Sequence, residues 1–119
     1  MFNVFNRFDQ TPGGVNVAGP EVKQRLDRGE KVVLLDVREQ WEWDIARIDG
    51  ATLIPLGQLE TRKAELNPQD EIVIYCHMGV RSLKALHYLQ HHGFTNLKNL
   101  SGGIEAWSGT VDSSVPRYR

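Results

Sequence analysis

Two stretches of this chain, KVVLLDV (31–37) and EIVIYC (71–76), are almost unbroken in apolar residues. A strand with one solvated face alternates apolar and polar residues. Continuous runs therefore read as strands covered on both faces, as in a parallel sheet between layers of helix. The flanking segments agree. AGPEVKQRLDRGE (18–30) has Pro20 at a helix start and Gly29 after Arg25 and Arg28 at its end. REQWEWDIARIDG (38–50) reads as a short helix with Trp41, Ile45 and Ile48 on one face, leaving Trp43 toward solvent. RSLKALHYLQHHG (81–93) turns Leu83, Leu86 and Leu89 inward and stops at Gly93. VNV (15–17), ATLIPL (51–56) and NLKNL (96–100) are shorter strand candidates, and GGIEAWSG (102–109) is a last short helix. Strands alternating with helices make an α/β fold with a mainly parallel sheet.

At 119 residues the chain is read as one domain. Residues 1–14 lack a sustained period and end in the breaker cluster TPGG, so they read as a loosely ordered lead-in, with Phe2, Phe5 and Phe8 free to dock. The domain proper is 15–119. A formal net charge of -1 gives no general attraction to nucleic acid or an anionic membrane. No run approaches the ~18 apolar residues of a membrane helix. A single cysteine and no basic-then-apolar leader suit a cytoplasmic protein.

In open α/β sheets ligands bind outside the carboxyl ends of the strands. Cys76 ends one apolar run and Asp36, Val37 and Arg38 end the other, so these two ends are expected to be neighbours. A thiol between a strand, a tight loop and a helix start meets unpaired backbone N–H groups and the positive end of a helix, which favour a thiolate. Gly79 suits a loop position needing unusual backbone geometry, and Arg81 adds a fixed positive charge. The chemistry favoured is thiolate attack on sulfur or phosphorus. A lone cysteine ending a buried strand also serves simply as a small apolar residue. With no second cysteine, dithiol exchange within the chain and a zinc site of linked cysteines are both excluded. His87 and His91, four apart, have no carboxylate or cysteine near them in sequence, and no metal site is assigned.

The segments LLDVREQWEWDIARIDGATLIPL, IVIYCHMGVRS and LSGGIEAW resemble, in order and spacing, the signatures of the rhodanese-homology domain family. The nearest likeness is to the rhodanese-like C-terminal domain of adenylyltransferase–sulfurtransferases of thiamine and molybdopterin synthesis, and this chain's ending VDSSVPRYR also resembles the tail of that group. The resemblance covers about residues 15–119. It implies a five-stranded sheet flanked by helices on both faces. It further implies a Cys76 persulfide surrounded by the backbone amides of His77, Met78, Gly79, Val80 and Arg81.

The family's sulfurtransferases have a six-residue loop, the length from Cys76 to Arg81, whereas its phosphatase and arsenate-reductase relatives have one residue more. Asp36 and Arg38 match a D-x-R pair that shapes the site or serves as a structural ion pair. Arg47, in A-R-I where many members have G-H-I, is a candidate for binding an anionic donor or a partner's carboxylate, or is a solvated arginine. No cofactor is implied. The implied donor is thiosulfate or a cysteine desulfurase, with a sulfur-carrier protein or a separate adenylylating enzyme as partner. A small cysteine phosphatase or arsenate reductase, and a non-catalytic interaction module, remain open alternatives.

Overall fold

The computed structural model describes residues 14–119. The lead-in with Phe2, Phe5 and Phe8 thus lies outside the described residues apart from Gly14. Both apolar runs are strands. β2 (Val33–Asp36) and β4 (Ile72–Tyr75) pair in parallel with Asp36 opposite Tyr75, which puts the ends of the two runs side by side as expected. β5 (Leu97–Leu100) pairs with the other edge of β4, and β1 (Asn16–Val17) and β3 (Thr52–Leu53) close the sheet in the order β1-β5-β4-β2-β3. Every pairing is parallel.

Successive strand residues point to opposite faces, and each face has its own helices. Leu34, Val73 and Tyr75 pack with Val22 of α1 (Gly19–Asp27) and with Ile104 and Trp107 of α5 (Gly103–Thr110). Leu35, Ile72 and Ile74 pack with Leu59 of α3 (Leu59–Arg62) and with Leu86 and Leu89 of α4 (Val80–Gln90). Residues 57–66 do not make one helix: α3 is a single turn between two 3₁₀ turns, anchored by buried Leu59.

The segment after β2 departs furthest from its sequence pattern. α2 (Gln40–Ile45) is shorter than expected, because Ala46 is already extended at φ -157°. Trp41 and Ile45 face solvent, 54% and 45% exposed, while Glu42 between the two tryptophans is buried. Trp43, expected outside, is half-buried. A carboxylate goes inward only where donors await it, and the site provides them.

Leu86 is fully buried between α4 and the sheet. Leu86→Ala is expected to cost about 2–5 kcal/mol, read as a lower denaturant midpoint with an unchanged slope. A loss below about 1 kcal/mol would contradict this packing.

Candidate active site

Cys76 follows the last residue of β4 and is 1% exposed. Its carbonyl accepts a hydrogen bond from the amide of Ile104 at 2.9 Å, and the His77 carbonyl accepts one from Glu105 at 3.1 Å. Both donors belong to the first turn of α5, where amides have no partner within the helix. Gly103 lets the helix come this close. It has φ +61°, and a Cβ there would overlap the carbonyls of Cys76 and His77. These carbonyls turn toward α5, and the loop presents the amide of Gly79 to Cys76 Sγ at 3.0 Å. Gly79 stands at φ +115°, a conformation costly for any residue with a Cβ, and α4 starts immediately after it. The amides of residues 80–82 belong to the first turn of α4 and have no partner within the helix.

A buried polar row backs the sulfur. Sγ lies 3.4 Å from Ser82 Oγ, the Ser82 hydroxyl donates to Asn99 Oδ1 at 2.6 Å, and the Asn99 amide donates to Asn16 Oδ1 at 2.9 Å. Two ion pairs flank the loop. Asp36 and Arg38 are fully buried and joined at 2.7 Å; Arg38 also donates to the Ala46 carbonyl at 2.6 Å and to Tyr118 Oη at 2.8 Å. Arg81 grips Glu42 with two bonds, of 2.6 and 2.8 Å. The Tyr118 hydroxyl donates to Glu42 Oε2 at 2.7 Å, and the Glu39 amide to Oε1 at 3.0 Å. Burial by itself would raise the Glu42 carboxyl, but the donors Arg81, Glu39 and Tyr118 bring it down to about 2. Hydrogen bonding to Glu42 raises Arg81, and burial pushes Tyr118 up to about 12.

The structure brings Cys76, His77, Gly79 and Arg81 together and links Asp36 and Arg38 to them through Tyr118. His77 stacks on the Tyr118 ring, centroids 4.1 Å apart, with Nε2 3.3 Å from Glu105 Oε1. Met78 and Val80 are 62% and 69% exposed and give the loop an apolar rim. Arg47 lies elsewhere: its guanidinium sits 5.1 Å from the centre of the Trp43 ring, in a cleft with residues of α1 and α5 that none of residues 76–81 lines. Glu42, Ser82, Asn99, Glu105 and Tyr118 were not singled out by the sequence. Only the acidic residue set between two tryptophans and the tyrosine in the basic tail hinted at them.

Two substitutions test this geometry. Gly103→Ala is expected to destabilise the protein by more than the ~1 kcal/mol of an ordinary glycine change, and to expose Cys76 to alkylation. A variant as stable and as unreactive as wild type would refute the close approach of α5. Glu42 sits below its ordinary value of 4.5, so its ionised form stabilises the fold above about pH 4.5 and that contribution disappears as pH falls toward 2. Relative to Glu42→Gln, the wild type should be more stable at pH 7 and lose this advantage across that window; parallel acid-unfolding curves would contradict it.

The family model of the rhodanese-like domain matches residues 19–110. The chain is 40% identical over 112 residues to the Mycobacterium tuberculosis protein named "Probable adenylyltransferase/sulfurtransferase MoeZ", covering 92% of this chain and 28% of that protein. It thus spans little more than a quarter of that relative's length. Among solved structures, a rhodanese-like domain protein from Staphylococcus aureus superposes with TM-score 0.77 at 28% identity, over 88% of this chain and 99% of its own. The human single-domain sulfurtransferase TSTD1 superposes with TM-score 0.74 at 29% identity, over 82% of this chain and 98% of its own. A parallel sheet of five strands, a loop from a strand-end cysteine to an arginine, and these similarities converge: the chain belongs to the rhodanese-like domain family.

Proposed function

We propose that the chain is a sulfurtransferase that works through a persulfide on Cys76. The observation that carries this reading is the Gly79 amide donating to Cys76 Sγ at the start of α4, within a loop whose first two carbonyls are turned away toward α5. Such donors stabilise sulfur-centred negative charge. The Cys76 thiolate attacks the outer sulfur of a donor. A Cys76–S bond forms, the donor's S–S bond breaks, and the donor leaves with the electron pair, as sulfite from thiosulfate or as a thiolate from a persulfide. An acceptor nucleophile then attacks the terminal sulfur and Cys76 departs as thiolate, which makes the kinetics ping-pong.

The burial of Cys76 favours a single terminal sulfur over a tetrahedral phosphate as the atom that reaches it. Arg38, Arg81 and Arg117 are each already paired with a carboxylate. The mouth so offers little excess positive charge for a dianion, which ranks a cysteine-desulfurase persulfide above thiosulfate as donor. A sulfur-carrier protein or an adenylylating enzyme fits as partner, in keeping with the composite name of the mycobacterial relative. Among the described residues no helix is long and apolar enough to cross a membrane, and a reduced thiol suits the cytoplasm.

Brief exposure to a sulfur donor followed by intact-mass measurement tests the reading. The wild type should gain one sulfur atom, reversed by cyanide, and Cys76→Ser should gain none while keeping its fold. Equal gain by both proteins, or no gain from thiosulfate, from glutathione persulfide and from a persulfide-loaded desulfurase alike, would overturn it.

A further inference from the structure

The C-terminal segment crosses the mouth of the site and meets it at more points than packing alone requires. The hydroxyl of Tyr118 accepts from Arg38 at 2.8 Å and donates to Glu42 at 2.7 Å, so one oxygen joins the Asp36–Arg38 pair to the Glu42–Arg81 pair. Its ring lies nearly parallel to His77, the residue after the nucleophile, with 15° between the planes. Trp41 meets the same ring edge-on at 6.0 Å. Next to it, Arg117 donates to Glu105 Oε2 at 2.8 Å, and Glu105 is both the partner of His77 and the amide that holds the His77 carbonyl. His77 and Arg81, the second and last residues of the six-residue loop, are thus held through one side chain that lies 37 positions beyond Arg81 in sequence.

We infer that Tyr118 is a positioning residue of the active site: through its ring on His77 and its hydroxyl on Glu42, it keeps residues 76–81 closed around the Cys76 sulfur. It touches no reacting atom itself. Its hydroxyl supplies the second donor on Oε2 of the Glu42 carboxylate that orients Arg81, and the Arg38 guanidinium fixes the direction of that hydroxyl by donating to its oxygen. The role in turnover rests on the sulfur-transfer reading, whereas the effect on the loop does not.

Hydrogen exchange and sulfur loading of Tyr118→Phe and Tyr118→Ala provide the test. Tyr118→Phe keeps the ring and removes both hydrogen bonds. Amides of residues 77–82 should exchange about tenfold faster, the factor a net hydrogen bond of about 1.4 kcal/mol supplies. Loading of Cys76 should slow by a similar factor, while β2 and β4 keep their protection. Tyr118→Ala should loosen the loop further by removing the stacking as well. A tail that merely adds stability would speed exchange in residues 111–119 and lower the melting temperature without touching residues 77–82, and that result overturns the inference. So does a Tyr118→Phe protein indistinguishable from wild type in the loop. Failure of the sulfur-transfer reading shows up separately, as a wild type that takes up no sulfur while the exchange differences persist.

Discussion

The amides of Ile104 and Glu105 hold the carbonyls of Cys76 and His77, and this contact decides which way the loop after β4 faces. A tight loop has as many carbonyls as amides, and left alone it would point some of each at the sulfur. Engaging the first two carbonyls with the start of α5 leaves the Gly79 amide on the side of Sγ, where α4 begins. The geometry depends on Gly103, where a side chain would strike the loop, and on Gly79, whose φ of +115° turns the chain into α4. The parallel sheet makes the arrangement available, because β4 and β5 end at the same edge of the sheet and α4 and α5, which pack on its opposite faces, both start there.

Charge at the site is organised in pairs. Asp36–Arg38 is fully buried, Glu42–Arg81 is buried on the carboxylate side, and Glu105 faces both His77 and Arg117. Breaking one member of a buried pair costs several kcal/mol, about 3–5, since the other is left uncompensated. Such pairs therefore fix geometry more than they add net stability. Around this neutral framework the outward residues are apolar: Met78, Val80, Trp41 and Ile45. On the sulfur-transfer proposal, such a mouth suits a persulfide carried on a larger molecule better than a small dianion.

The two apolar runs and the glycine and proline punctuation are enough to read the α/β architecture, and the position of Cys76 at a strand end points to the candidate site. What stayed hidden has common physical causes. A helical wheel assigns Trp41 and Ile45 to the core and Glu42 to solvent. The reverse holds because Arg81 and Tyr118, distant in sequence, supply the donors that let a carboxylate be buried. Tyr118 and Asn99 act only through long-range contacts, with Arg38 and Glu42 in one case and Ser82 in the other, which no local periodicity encodes. Arg47 was a candidate because of its place in a motif, yet the extended backbone after α2 carries it to Trp43, in a cleft that the loop does not line.

A crystal structure of the protein after sulfur loading tests most directly whether the loop is built to hold a sulfur-centred anion. The added sulfur should lie on Cys76, within hydrogen-bonding distance of the Gly79 amide and of at least one amide from residues 80–82, with the Ile104 and Glu105 contacts intact. A terminal sulfur directed into solvent, or loop amides turned away from it, would contradict that design.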